Sequence, residues 1–273
     1  MVVSSMKLTS RMQKEPFVAL FRLLSAGGRR RIINLAISTM KAHERDLFRE
    51  TYQVPSVEWT LRNMRRLGFR PRHVVDVGAY VGDWTRLVKS VFAEESPLVH
   101  MLEAQPSKDD DLHRVVQDLE GVSYEIALLG RQERAAVPFF ELETGSSVLE
   151  EQSSVTRETK TYPMKTLDDI MASKGWNSVG LLKLDVQGYE LEVLKGAART
   201  LANTEVVLLE VSLIPVNKGA PLIHEVVAFM HERGFGVYDI CSFIRRPLDK
   251  ALWQSDFIFV KSGSFLLASS TFD

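Results

Sequence analysis

The 273-residue chain has one cysteine, Cys241, so no disulfide within it can staple a small core. That scarcity sets the expectation of a reducing, cytoplasmic location, with Cys241 a buried and inert thiol in a strand. The sequence also lacks any apolar run near the roughly 20 residues that a bilayer-crossing helix needs. Charge of one sign is missing too: 34 basic and 35 acidic residues leave a net charge of -1. The whole-chain field therefore gives no reason to propose nucleic acid or another polyanion as a partner. No internal repeat is present. What is present is an ordinary globular mix, 45% hydrophobic, long enough for one large core and an appendage.

The appendage is the compositional outlier. Up to Ala42 the only acidic residue is Glu15, against Lys7, Arg11, Lys14, Arg22, Arg29, Arg30, Arg31 and Lys41. Its apolar pieces, "FVALFRLL" and "IINLAIS", are separated by "SAGGRRR" and are each far too short to span a membrane. Residues 1–54 read first as a mainly helical, basic extension that packs on the main domain. Peripheral contact with a membrane surface is the second reading, and a cleaved transit segment the third.

Residues 55–273 read as one domain. "PSVEWTLRNMRRLGFRP" predicts a helix capped by Ser56, with Val57, Leu61 and Met64 on one face, and ended at Gly68. From His73 onward, short apolar runs alternate with segments of helical period. The strands are "HVVDV", "LVHML", "VSYEIALL", "VGLLKLD", "EVVLLEV", "FGVYDI" and "DFIFVK". Helices are expected between them, including one unbroken helix over "GYELEVLKGAARTL" and one opened by Pro221 and stopped by Gly234. Alternation of this kind implies crossover connections and a mostly parallel, seven-stranded, doubly wound α/β sheet, with the last two strands as a hairpin that reverses one of them. The middle stretch, "AAVPFFELE" through "KTYPMKTLDDIMAS", predicts an extra strand and a short helix around a long polar loop.

Ligands of such sheets lie at the carboxyl ends of the strands. The turn "VGAYVGDW" after the first strand has Gly78 and Gly82 but Tyr80 in the middle slot of a dinucleotide fingerprint. Asp76 and Asp83 flank it. A carboxylate in the first helical turn already occupies the positive end of the helix dipole and repels a phosphate, whereas a cationic ligand meets no such conflict. Glu103, ending the second strand, is placed to accept hydrogen bonds from a ribose diol, which fits an adenosine ligand without choosing between NAD and S-adenosylmethionine (SAM). Asp83 and Asp76 tip the choice to SAM, whose methionine end carries an ammonium and a sulfonium. "LLKLDVQGYE" then delivers Asp185 to the same edge. Lys183, inside that apolar run, reads as a structural ion-pair partner.

These segments together resemble the FkbM family of SAM-dependent methyltransferases. The likeness covers about the last 200 residues and rests on "VVDVGAYVGDW", "EAQP", "KTLDDI", "LLKLDVQGYELEVLKGA", "VVLLEVS", "GFGVYDI" and "SDFIFVK". It implies a Rossmann-like methyltransferase sheet and O-methylation of hydroxyls on sugars, lipids, polysaccharide precursors or polyketide-type metabolites, with S-adenosylhomocysteine (SAH) as product. Carried over by position, Asp76, Gly78, Ala79, Gly82, Asp83, Glu103, Ala104 and Gln105 line the cofactor site, Ala127 lies near the adenine, and Asp185 and Gln187 face the methyl group. Two departures stand out. Tyr80 occupies a position where the family often has Asn, and Gln187 one where it often has Glu. Tyr80 is expected either to stack over the methionine arm or to pack on a neighbouring helix, its backbone counting for more than its ring.

Methyl transfer to an alcohol needs alignment and a group to take the proton. Asp185 is the first candidate base. His224, in the opening turn of the helix after the fifth strand, is the second, although an ordinary surface histidine is its simpler account. Glu210 is a candidate for binding the acceptor's hydroxyls. Asp185 and Glu210 offer two oxygen ligands to a divalent cation, but a third is lacking, and metal independence is the expectation. The loop "TGSSVLEEQSSVTRETK" reads as a mobile lid in which Ser146 and Ser147 touch ligand. The competing readings are an NAD(P)-dependent oxidoreductase on the same sheet and a catalytically silent SAM-binding scaffold.

Overall fold

Strands that read as near-continuous apolar runs need two covered faces, and the computed structural model supplies them. It describes residues 25–41, 44, 47–49, 51, 53–152, 156–269 and 271. Backbone contacts divide the chain into Met1–Val54 and Pro55–Asp273. In the first unit, helix α1 (Ala26–Thr39) takes in the Gly-Gly-Arg stretch as well as "IINLAIS". The segment "FVALFRLL" lies outside the described residues. Among those described, no helix is long and apolar enough to cross a membrane.

The second unit opens with α2 (Val57–Arg66), where Ser56 Oγ accepts from the Trp59 N–H at 3.3 Å and Leu61 and Met64 are fully buried. Then come β1 (His73–Val77), α3 (Asp83–Val91), β2 (Leu98–Glu103), α4 (Asp109–Asp118) and β3 (Val122–Ile126). After an inserted section, the alternation continues with β7 (Val179–Leu184), β8 (Thr204–Ser212), α8 (Ile223–Glu232), β9 (Phe235–Ile240), β10 (Ile244–Arg245) and β11 (Leu252–Lys261). The main sheet has the order β10-β11-β8-β7-β1-β2-β3, with β9 also on β11. Strands β3, β2, β1, β7 and β8 are parallel, and β11 enters antiparallel between β8 and β9. The fold is thus a mixed, Rossmann-like α/β sheet.

Side-chain alternation divides the core. Val75, Val77, Leu182 and Leu184 face a cluster completed by α8, while Val74 and Leu181 face one completed by α2, α3 and α4. Each fully buried Leu or Val contributes roughly 1.5–3 kcal/mol.

Three expectations require correction. "VSYEIALL" is not one strand: the Ala127 N–H donates to Glu103 O at 2.8 Å, and the chain then leaves for a second sheet. That sheet, ordered β4-β6-β5, is made by β4 (Leu128–Leu129), β5 (Arg134–Glu141) and β6 (Glu158–Lys165), so the middle section holds two strands beyond the split one, followed by α5 (Leu167–Ser173). The helix over "GYELEVLKGAARTL" is broken into α6 (Glu190–Lys195) and α7 (Ala198–Ala202). Gly196, at the break, lies so close to Gly130 that an added Cβ would stand 2.1 Å from its carbonyl oxygen.

Candidate active site

At the carboxyl edge of β1, β2 and β7 lies a cavity of about 220 Å³. Its floor depends on glycine. Gly78 has φ of +72°, and a Cβ there would fall 1.8 Å from the Asp185 carbonyl oxygen, so the loops after β1 and β7 touch backbone to backbone. Gly82 is different: it does not line the cavity but lets α3 approach α4, where a Cβ would meet Val115 Cγ2 at 2.7 Å. This matches the packing role of a third glycine.

The turn spends its own donors. The Gly78 and Ala79 N–H groups donate to Leu102 O (2.8 and 3.1 Å), the Tyr80 N–H donates to Glu103 Oε2 (2.8 Å), and the Gly82 N–H donates to Ala79 O (2.8 Å). A phosphate cradle needs such N–H groups free, and these four are occupied. Glu103 is buried, and its Oε1 accepts from the backbone and side-chain nitrogens of Gln105 (2.9 and 3.2 Å). Its carboxylate is therefore fixed in the cavity wall beside Ala104, Gln105 and Ala127.

Asp76 lies beneath the cavity and not in its wall. It is fully buried, ion-paired with Lys183 Nζ at 3.1 Å, and it accepts from Thr85 Oγ1 at 2.8 Å. The register explains this, since Asp76 pairs with Lys183 across β1 and β7, which puts both side chains on one face. The ion-pair reading of Lys183 holds, and this lysine also reaches the cavity and donates to Gly78 O at 2.7 Å. Burial works against its charge, but Asp76, Asp185 and Glu103 outweigh burial and raise its pKa. Its Nζ is 3.9 Å from Asp185 Oδ2.

Asp185 and Gln187 both line the cavity. Gln187 Nε2 donates to Asp185 Oδ1 (2.9 Å) and to Glu210 Oε2 (2.7 Å). Glu210 is absent from the cavity lining and acts through that bridge, with a second donor in Gln254 Nε2 at 2.8 Å. Burial, then the neighbouring carboxylates of Asp185, Glu190 and Asp256, raise the Glu210 pKa well above the usual range. Gln187 has a left-handed backbone, φ +54°, and its carbonyl oxygen accepts from Ser147 Oγ (2.9 Å) and Asn217 Nδ2 (2.6 Å). A strained non-glycine residue pinned from two loops is the kind of outlier that marks a functional site.

Asp83 lines the cavity at the start of α3. His224 is exposed on α8 and lines no part of the cavity. Ser147 is not in the cavity wall; its hydroxyl donates to the Gln187 carbonyl and accepts from the Leu149 N–H. Ser146 is in the wall, with its hydroxyl engaged by the Leu142 N–H and Glu143 O. The segment 146–152 is tied down by a bridge from Phe140 to Ser147 and another from Glu151 to Asn217, while residues 153–155 of the expected lid lie outside the described residues. Tyr80 lines the cavity, its hydroxyl donates to Glu143 Oε2 at 2.6 Å, and Lys108 Nζ sits 4.2 Å from the ring centroid. Sequence reasoning missed Lys108, Glu143 and the apolar wall of Phe139 and Val148. The alternation of Val137 and Phe139 in "AAVPFFELE" was the available signal for that wall.

The sequence pattern of the Methyltransferase FkbM domain matches residues 76–237, more than half of the chain and all of the parallel core from the end of β1 onward. The chain belongs to the FkbM methyltransferase family. Solved structures with a similar fold include a Methyltransferase FkbM from Methylobacillus flagellatus KT, at 15% identity over 68% of this chain and 43% of that one, TM-score 0.43. A magnesium protoporphyrin IX methyltransferase from Synechocystis PCC 6803 with bound SAM matches at 10% identity over 75% and 79%, TM-score 0.43. A precorrin-6y C5,15-methyltransferase from Geobacter metallireducens GS-15 matches at 13% over 76% and 88%, TM-score 0.44. This FkbM chain spans less than half the length of the first of these. Among curated proteins no match is found.

Proposed function

We propose that this FkbM family member is a SAM-dependent O-methyltransferase acting on a hydroxyl of a sugar, lipid, polysaccharide precursor or secondary metabolite. The observation that carries the reading is the pairing of a buried carboxylate, Glu103, with a turn in which the N–H groups of Gly78, Ala79, Tyr80 and Gly82 are already spent. That donor set suits an adenosine ligand without phosphates and disfavours NAD(P). Asp83 and Asp185 set negative charge on either side of the turn, which suits the cationic methionine end. Glu103 holds the ribose hydroxyls, Ala127 and Ala104 flank the base, and Lys183 holds the backbone of Gly78 in place from below. SAM supplies the methyl group as an electrophile on a sulfonium.

The chain's own contribution is orientation and proton removal. Asp185, partly exposed and steadied by Gln187, takes the proton of the acceptor hydroxyl. Glu210 keeps a proton more readily than an ordinary carboxyl and reads the acceptor's remaining polar groups through the Gln187 amide. His224, exposed and off the cavity, is set aside as the base. Calorimetry with SAM, SAH and NAD tests the cofactor: SAM and SAH bind and NAD does not, and absence of SAH binding overturns the reading. Labelled SAM offered with a panel of hydroxylated acceptors tests the chemistry, since a methyl recovered on nitrogen or carbon instead of oxygen rules out O-transfer. In that assay Asp185→Asn lowers turnover about 10²–10⁴-fold, a larger loss than its loss of SAH affinity.

A further inference from the structure

The carboxyl edge of the sheet does not end at Glu210. Ser212 pairs with Gln254, Gln254 with Ile244, and Gln254 Nε2 reaches Glu210, so the β10–β11 hairpin stands directly beside the residues that we assign to the acceptor. Its sequence, "FIRRPLDK", is unusual for a solvent-facing turn. Phe243 is 54% exposed, Ile244 36% and Leu248 84%, the last at the tip after Pro247.

Around these apolar residues stand cations. Arg246 is paired with Asp249 at 2.6 Å. Arg245 and Lys250 are exposed and have no carboxylate partner among the described residues; they donate only to backbone oxygens, Arg245 to Lys250 O (3.0 Å) and Lys250 to Pro247 O (3.1 Å). This cationic turn is local, because residues 55–273 carry 31 acidic against 24 basic residues. An apolar tip inside a collar of unpaired cations is complementary to a surface of apolar tails beneath anionic headgroups. A second copy of the chain fits less well, since an isologous contact through this hairpin would set Arg245 and Lys250 against their own counterparts.

We propose that the hairpin at residues 243–250 is a membrane-docking tip that seats Phe243, Ile244 and Leu248 in the headgroup layer of an anionic bilayer. Docking there presents the carboxyl edge of the sheet to acceptors held in the same surface. Only this last consequence rests on the methyl-transfer reading; the docking itself does not.

Co-sedimentation of the full chain with vesicles tests it, using phosphatidylcholine alone and phosphatidylcholine mixed with phosphatidylglycerol. The chain pellets with the anionic vesicles, less so as salt is raised, and Leu248→Asp and Arg245→Glu each weaken partitioning about tenfold, while Arg245→Lys retains it. Phe243→Ser provides a second apolar variant. The basic N-terminal arm is present throughout as a constant background, so the reading is the change caused by the hairpin. Partitioning that is absent in the native chain, or unchanged in all three weakening variants, overturns the proposal. So does a lipid-free dimer that Leu248→Asp dissociates, because the hairpin is then an interface between copies. SAH calorimetry on the same proteins keeps the two ideas apart: failed SAH binding by the native chain removes the methyl-transfer reading and leaves the vesicle result standing.

Discussion

Lys183 shows how one side chain organises this site. A lysine inside "GLLKLD" has nowhere to go but between sheet and helices, and it survives there because Asp76 meets it at 3.1 Å and Gly78 O at 2.7 Å. Removing one member of such a pair leaves the other charge buried and uncompensated. Lys183→Met therefore destabilises the fold by about 3–5 kcal/mol, seen as a lower urea midpoint, and combining it with Asp76→Asn recovers most of that loss. If the single and double variants unfold at the same midpoint, the two residues are not coupled. Gln187 works at the same scale by a neutral route. Its amide separates Asp185 from Glu210, a place where a glutamate would bring a third carboxylate to the same spot.

At the scale of elements, the second sheet is what distinguishes this site from a bare Rossmann edge. Strands β4 and β5 bring Leu128, Leu129 and Phe139 to one wall of the cavity, and the segment after β5 adds Val148 and carries Glu143 to Tyr80 and Lys108. The break between α6 and α7 belongs to the same arrangement, because the connection from β4 to β5 passes through the gap at Gly196. A methyl group there has no space, and what it meets is backbone. Gly196→Ala is thus expected to cost about 1–3 kcal/mol, lowering the denaturant midpoint without changing the slope of the transition. A substitution without effect would mean that the β4–β5 connection does not press on this break.

Across the whole molecule, two buried ionisable groups bias stability in opposite directions with pH. His100 sits against Ser123 at 2.9 Å, and burial, aided by Lys174, lowers its pKa to about 4. Below its ordinary 6.5 the unfolded chain takes a proton that the fold refuses, so this residue removes stability as pH falls toward 4. Glu190 accepts the Val186 and Gly188 N–H groups, yet burial raises its pKa to about 7. Between its ordinary 4.5 and about 7 the fold keeps a proton that the unfolded chain has lost, so Glu190 removes stability as pH rises through that window. Relative to the native chain, Glu190→Gln gains stability as pH rises from 4.5 to 7, and His100→Gln gains it as pH falls from 6.5 to 4, each by up to about 3 kcal/mol. Parallel profiles for native and variant proteins would contradict both assignments.

Much of this was open to reading in one dimension. The 2.0 and 3.6 periods that separate strands from helices are local, and so are the caps, the glycine turn and the carboxylates that close β1, β2 and β7. These sufficed for the α/β alternation, the family likeness, and Glu103, Asp83 and Asp185 at one edge. Contacts between segments distant in sequence have no local period, and these were settled by packing. The chain changes sheets at Ala127 because Leu128 and Leu129 find partners in β6, some 36 residues on, which no property of "IALL" encodes. Asp76 sinks below the cavity because β1 and β7 are adjacent and their register faces it with Lys183. Ser147 sits behind the cavity wall and clamps Gln187 because two loops meet there. Residue type and spacing decide which groups reach the edge of the sheet; the register between strands decides which of them face a ligand and which face one another.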